Sequence, residues 1–283
     1  MALSAIIHAL GFDVLDHKVV HGGDINEAHW LKTIDTEYFL KLNNASRYPG
    51  MFEQEAKGLD ALRSASGLVV PTVIRHGQVG DEQYLLLEWL DKASPGKDSM
   101  PDFGAALAKQ HQQTQSFFGW HENNFIGSLV QVNNQHASWH SFYAACRILP
   151  LVKHLVEAGG FSRSDSAATS LLCTKLKDLF PEEPPALLHG DLWGGNYMIT
   201  NNGTVAVFDP AVYYGHREMD LGMTRLFGGF DDSFYDAYQS TYPLEKEWQQ
   251  RLPLTQLYPL LVHAVLFGGH YISRARQIIQ QFA

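Results

Sequence analysis

The chain has 283 residues, enough for one large domain or two lobes around a shared cleft. Apolar residues make up 45% and charged residues 18%, which argues against extensive disorder. The formal charge of −9 argues against a nucleic-acid or anionic-membrane surface, because both need basic patches; an anion can be held only where a local cation reverses the sign. Two cysteines, Cys146 and Cys173, cannot build a disulfide framework and are expected as reduced thiols in a cytoplasmic protein. The opening MALSAIIHALGFDVLD lacks a basic leader and a cleavage pattern, and no apolar run approaches the roughly 20 residues of a membrane span.

Residues 3–10 read as a short helix. VLDHKVV, AHWLKTI and EYFLKLN then mix β-branched or aromatic residues with polar ones over strand lengths, and HGGDINE between the first two is a turn-rich connector. MFEQEAKGLDALRSA, from Met51, has helical spacing and strong helix formers. VVPTVIRHG and YLLLEWL return to strand, so the order is β-β-β-α-β-β. DKASPGKDSMPD clusters Pro, Gly and Ser and reads as a linker. FGAALAKQHQQTQ, WHSFYAACRILPLVKHLVEAG and SAATSLLCTKLKDLF follow as helices, the last closed by Pro181, Pro184 and Pro185. The expected class is α+β. A small antiparallel β-sheet N-lobe with one main helix (1–90) precedes a larger, mostly helical C-lobe (91–283).

HGDLWGGN, residues 189–196, has the form of a kinase catalytic loop, H-x-D-L-x-x-x-N, with Gly190 where protein kinases usually carry Arg. Phosphoryl transfer needs an acid to accept or orient the proton of the attacking hydroxyl, and Asp191 fits. An amide oxygen on the same tight loop can reach a magnesium ion, and Asn196 fits. YMITNNGTVAVFDP supplies strand, turn, strand and a second acid, Asp209, for the metal. The phosphates need a lysine on the third strand, which is Lys41 in YFLKLN, and a helix carboxylate to position it. Glu53 and Glu55 both qualify, with Glu55 preferred. HGGDIN lies where a phosphate-covering loop belongs, which makes Gly22 and Gly23 candidates, although without a full G-x-G-x-x-G it is by itself only a turn. The backbone of Glu88, Trp89 and Leu90, at the end of YLLLEWL, is the expected hinge for adenine.

GGDINEA, KLN, MFEQEAKGL, LLLEWL, FGWHENNFIGSL, LLHGDLWGGN, FDPAVYYGHREMDL, LFGGF and LFGGHY together resemble the fructosamine kinase (ketosamine-3-kinase) family, over essentially the whole chain. The resemblance implies a protein-kinase-like, aminoglycoside phosphotransferase-like fold. It also implies ATP- and magnesium-dependent phosphorylation of the sugar 3-hydroxyl of ketosamines, whose unstable 3-phosphate eliminates and frees the amine. By position, Asp191 is then the proton acceptor, Asn196 and Asp209 hold magnesium, and Lys41 holds phosphate. Position 194 is Gly where many members have Ser, and His270 interrupts a region often rich in Gly.

Trp193 is a candidate platform for the sugar, or a buried residue closing the loop. His263 is a candidate for the acceptor site, or a core histidine. Asp220 is expected to brace the loop backbone, and His216, Arg217 and Glu218 either share that task or touch substrate. His136 and His140, four apart, suggest zinc only weakly, for want of further ligands at metal spacing. The absence of A-P-E and of the Arg before Asp191 argues against a protein-kinase activation segment. The expected acceptors are ketosamine small molecules or glycated proteins. The alternatives are a kinase of another hydroxylated amine, such as an aminoglycoside or amino sugar, and an inactive nucleotide-binding scaffold.

Overall fold

The computed structural model describes residues 2–21, 25–65, 67–94 and 96–283. Helix α1 (Ala2–Leu10) leads into strands β1 (Asp16–Val20), β2 (Glu27–Lys32) and β3 (Glu37–Asn44). Helix α2 (Met51–Ala65) covers the full length of MFEQEAKGLDALRSA, and β4 (Val73–Val79) and β5 (Glu82–Glu88) complete the sheet. Among the described residues these strands pair antiparallel in the order β1-β2-β3-β5-β4. Period-two alternation decides which face each residue serves. Leu40, Leu42, Tyr84 and Leu86 pack with Ile6, Leu10 and Leu31 on one face. Lys41, paired between Ala28 and Leu85, therefore points to the other face, where α2 lies. Two strands are displaced from their expected spans. Val69 makes only an isolated bridge to Ala206, and β4 begins beyond Pro71, which has no N–H to give a ladder. β5 ends at Glu88 rather than Leu90.

Helix α3 (Ser99–Gln110) starts inside the expected linker. Ser99 explains the early start: its Oγ accepts from the Gly96 N–H (3.0 Å) and donates to the Gly203 carbonyl (3.1 Å), while Pro101 sits in the first turn, where no N–H is needed. A short hairpin, β6 (Asn124–Ile126) and β7 (Leu129–Gln131), follows. Helices α4 (Trp139–Phe142) and α5 (Leu149–Glu157) are joined without a break by a π-helical turn, Tyr143–Ile148, where one long helix is expected from the sequence. The turn carries Arg147 into the interior, against the ring of Tyr213 at 4.1 Å. His136 lies before this helix, in an isolated bridge to Phe118, so it does not share a helical face with His140. Helix α6 (Arg163–Leu179) begins in a capping box in which Ser162 and Asp165 exchange hydrogen bonds.

Strand β8 (Ala186–Leu188) pairs with β11 (Tyr213–Gly215), and between them β9 (Tyr197–Ile199) and β10 (Val205–Val207) form the hairpin expected around NNG. Helices α7 (Glu218–Phe227), α8 (Asp232–Thr241), α9 (Trp248–Phe267) and α10 (His270–Phe282) complete the chain. One large apolar core joins Phe103, Phe142, Leu188, Val207, Phe234 and Leu257 to Phe52 and Leu59 of α2 and to Leu85 and Leu87 of β5. The loops that follow β8 and β10 are thus built on strands that contribute residues to this core. Among the described residues no helix is long and apolar enough to cross a membrane.

Candidate active site

The loop between β8 and β9 is fixed from below by one buried acid. Asp220, on α7, accepts the N–H of His189 at 2.8 Å and of Gly190 at 2.9 Å, and contacts His111 Nε2 at 3.2 Å. Burial opposes the charge of Asp220, but His111, His189 and the Gly190 N–H together hold its pKa below the usual range. It braces the loop, as its sequence position suggests. Gly190 is required at this point: its φ is +84°, and a Cβ would lie 2.0 Å from the Ala211 carbonyl oxygen. His189 donates from Nε2 to the Phe208 carbonyl (3.0 Å) and accepts the Asp191 N–H at Nδ1 (3.3 Å). Burial lowers its pKa, so the neutral imidazole links the two acidic loops without adding charge.

Asp191 then emerges half-buried, and Asn196 Nδ2 donates both to its Oδ2 (3.0 Å) and to its carbonyl oxygen (2.8 Å). Desolvation raises the pKa of Asp191 to about 7; the Asn196 bond opposes the rise and the charges of Asp209 and Asp220 add to it. A carboxyl poised there can take a proton near neutrality.

Asp209 follows β10 with φ +55°, an unusual conformation for a residue that precedes proline. The strain is offset by contacts on both sides of it. The Lys41 Nζ donates to Asp209 Oδ1 at 2.9 Å and to Glu55 Oε1 and Oε2 at 2.8 and 2.9 Å. Burial works against the ammonium, but Asp209 and Glu55 outweigh it and raise its pKa. Glu55, not Glu53, is therefore the carboxylate that meets Lys41; Glu53 pairs with Lys57 one turn away, at 2.9 Å. Burial, reinforced by Asp209, raises the pKa of Glu55 against the pull of Lys41.

Lys41, Glu55, Asp191, Asn196, Asp209, Trp193 and His263 all line one cavity of about 680 Å³ between the sheet and the helices. The hinge candidates are not brought to it. Glu88, Trp89 and Leu90 are half-buried outside the cavity wall; the Glu88 and Trp89 N–H groups already bond to the Thr72 and Glu37 carbonyls, at 3.0 and 3.3 Å. Trp89 reaches the cavity only through Phe39, whose ring lies 6.3 Å from its own and does line the wall. Gly22 and Gly23 lie outside the described residues. Arg217 and Glu218 are committed to structure: Arg217 clasps Glu183 at 2.7 and 2.8 Å, and Glu218 holds Arg251 at 2.6 Å.

The sequence reading missed the supports of Asp209. Gln131 Nε2 donates to the Ala211 carbonyl (3.0 Å) and Asn124 Nδ2 to the Val212 carbonyl (2.8 Å). Tyr258 donates to Gln131 Oε1 at 2.8 Å. A second tie fixes α2, because Glu122 accepts from Gln54 (2.8 Å) and Lys57 (2.7 Å). FGWHENNFIGSL thus clamps the Asp209 segment and α2 together. Two amides facing each other across a hairpin of three-residue strands carry no readable period, so only the fold reveals what they hold.

The model of the family described as fructosamine kinase matches residues 3–283. The chain belongs to the fructosamine kinase family. Relatives within that family agree over nearly the whole length. A probable ketoamine kinase of Enterococcus faecium is 40% identical, over 93% of this chain and 94% of its own. A chloroplastic protein-ribulosamine 3-kinase of Arabidopsis thaliana is 35% identical, over 93% and 81%. The crystal structure of a putative fructosamine-3-kinase from Thermobifida fusca superposes with a TM-score of 0.85 at 34% identity, covering 95% of this chain and 94% of that one. This fructosamine kinase family member is accordingly a phosphotransferase with an alcohol group as acceptor, on the α+β kinase-like fold expected from its sequence.

Proposed function

We propose that the chain transfers the γ-phosphoryl group of ATP to the 3-hydroxyl of a ketosamine, whose unstable 3-phosphate then leaves as inorganic phosphate, after which the amine is freed from the remaining sugar carbons. The observation that carries the reading is the convergence of Lys41, Asp191, Asn196 and Asp209, from separate elements, on one cavity whose other wall is rich in aromatic side chains. In this reading Asp191 takes the proton as the sugar oxygen forms its bond to phosphorus and the bond to the departing ADP breaks. Lys41, oriented by Glu55, holds the phosphates against the charge that develops on them. The adenine hinge is proposed at the Glu88–Leu90 backbone, behind the Phe39 ring of the cavity wall rather than on the wall itself, with the Leu90 amide as its donor.

A divalent cation fits the residues present. Asp209 and Asn196 offer hard oxygen donors; with Asn196 Nδ2 held by Asp191, its Oδ1 is the atom open to a cation. Among the described residues no three His, Cys, Asp or Glu side chains form a metal cage alone, and so the remaining ligands are phosphate oxygens and water. Magnesium held by Asp209 and Asn196 would neutralise phosphate charge and screen Asp191 from Asp209.

The acceptor is a ketosamine on a small amine or on a protein side chain. The relatives' names support the ketoamine class. The test is a screen of ribulose-, fructose- and erythrulose-derived ketosamines with purified protein, ATP and magnesium, reading ADP release and a product heavier by one phosphate. Turnover only of aminoglycosides or amino alcohols overturns the ketosamine assignment, and magnesium-independent turnover overturns the metal role.

A second expectation concerns pH. Asp191 must be ionised to accept a proton, and its raised pKa places the acid limb of kcat/KM near pH 7. Activity should fall about tenfold per unit well below that limb. A profile flat from pH 8 to 5 would remove Asp191 as the base.

A further inference from the structure

The cavity wall beyond Asp191 is an arc of rings. Trp193 lies 6.1 Å from Phe227 at 69°, and Phe227 lies 5.0 Å from His263 at 45°. His263 lies 5.5 Å from Phe267 and 5.0 Å from Tyr271. Their places follow from the chain. On α9, Pro259, His263 and Phe267 recur every four residues on one face. The Gly268–Gly269 corner, with φ of +66° and +58°, then folds α10 back so that Tyr271 meets that face. All five rings line the cavity that holds Asp191, yet Trp193, Phe227 and Phe267 remain 40%, 38% and 60% exposed. Rings so open are unusual for packing alone, since burying them is what large aromatic side chains normally contribute. Among the described residues, the lysines and arginines that sit over rings do so elsewhere, on Trp30, Phe52, Tyr48, Phe142, Tyr213, Tyr258, Tyr242, Tyr235 and Phe161. Among the described residues, no lysine or arginine sits over a ring of this arc.

From this arrangement we infer that Trp193, Phe227, His263, Phe267 and Tyr271 form a cation-binding arc that recognises the secondary ammonium of the acceptor and the first carbons of its carrier. The inference rests on the ketosamine reading above and deepens it. A ketosamine nitrogen is a secondary amine, protonated at neutral pH, and only a few bonds from the 3-hydroxyl. When Asp191 holds that hydroxyl, the ammonium comes within reach of Trp193, which follows Asp191 by two residues and lines the same cavity. The carboxylates lining the cavity are already engaged: Glu55 and Asp209 on Lys41, Asp220 on the loop amides, and Asp191 on the reacting oxygen. The negative faces of aromatic rings attract a cation without competing for the magnesium or the catalytic proton. His263 suits the arc as a neutral ring: its Nδ1 donates to the Pro259 carbonyl at 2.7 Å, and burial keeps its pKa below the usual value, so it adds a face and an Nε2 acceptor rather than a repelling charge. An arc of this kind requires a cationic nitrogen but no carboxylate on the carrier, which favours adducts of alkylamines and lysine side chains over adducts with an acid next to the amine.

The test compares two acceptors built on one ketose. The first carries propylamine and is cationic; in the second the nitrogen is acylated and neutral. Wild-type protein should use the cationic acceptor with the lower KM. Phe227→Leu and Phe267→Leu keep apolar bulk but lose the ring, and each should raise KM for the cationic acceptor about 3- to 30-fold. The KM values for ATP and for the neutral acceptor should stay unchanged, and Phe267→Tyr, which keeps the ring, should recover most of the KM lost in Phe267→Leu. Equal losses on both acceptors would reduce the arc to an apolar shelf, and unchanged KM values would remove it altogether; either result overturns the inference. If wild-type protein phosphorylates neither acceptor, the ketosamine reading itself fails, a result separable from the others because it needs no variant.

Discussion

Asp191→Asn should lower turnover by about 10² to 10⁴-fold while leaving ATP binding intact. Asp191→Ala should do the same, since what is lost is the proton acceptor rather than a phosphate contact. The replacement removes a negative charge close to Asp209, so affinity for ATP–magnesium should hold or tighten. Titration calorimetry beside single-turnover phosphorylation separates the two effects. Near wild-type chemistry in either variant would take Asp191 out of the base role. Stability gives an independent readout with a definite sign. The folded-state pKa of Asp191, about 7, lies above its ordinary value of 3.8, so the folded chain binds this proton more tightly than the unfolded one. The stability that this proton supplies is present in acid and is lost as pH rises through about 7. At pH 8 the Asn variant should therefore melt no lower than wild type, and higher if the supporting loop is unchanged. Such a gain in stability at the expense of activity is expected where a charged group is held partly desolvated for function.

Much of the fold was legible because its signals are local. Helix α2 matches its predicted span because Met, Glu, Gln, Ala, Lys, Leu and Arg dominate fifteen residues that hold no proline and run between a Gly-containing turn and a Ser-Gly pair. The β9–β10 hairpin follows from NNG between apolar triplets, with Gly203 at φ +83° where the turn demands it. Lys41 and Glu55 were legible as a pair because one lies on a buried strand and the other on the facing side of a helix, and both are charges that apolar neighbours cannot tolerate singly. The π-helical turn at 143–148 was not legible, because helical spacing is nearly blind to one extra residue per turn; what it serves, the burial of Arg147 on Tyr213, is a long-range contact. The start of α3 was misplaced because Ser99 reads as a linker residue until Gly203, far along the chain, is known to accept from it. The aromatic arc had the same obstacle: Phe227 and Phe267 end two different helices, and only the glycine corners after them bring the rings together.

The clamps on α2 bear on regulation. In kinases that are switched by helix movement, the lysine–glutamate pair breaks when that helix swings away. Here α2 is tied to the far side of the cavity by Gln54 and Lys57 on Glu122 and is packed at Gly58 against Val212, where a Cβ would lie 3.2 Å from the Val212 side chain. Opening α2 would break these contacts together. The Lys41–Glu55 pair is thus held by several ties on α2 at once.

Lys41→Met is the second change with a large expected effect, and it acts on both function and fold. Without the ammonium, the Glu55 carboxylate, whose side chain is only 10% exposed, faces Asp209 with no compensating charge. Removing one partner of a buried ion pair typically costs about 3–5 kcal/mol, since the other charge stays desolvated. Much of that cost is avoidable if Glu55 takes up a proton, and burial already favours that response. The variant should accordingly be least stable at high pH and should recover as pH falls. Glu55→Gln placed on the Lys41→Met background should restore much of the melting temperature without restoring turnover, because the phosphates still lack their cation. Magnesium with ATP should stabilise wild type more than either variant. If Lys41→Met left the ATP dependence of turnover unchanged, the phosphate role of Lys41 would be wrong; if the double variant melted no higher than the single one, the buried charge of Glu55 would not be the source of the instability. The double variant separates the two roles because it removes the electrostatic conflict while the nucleotide contact stays absent.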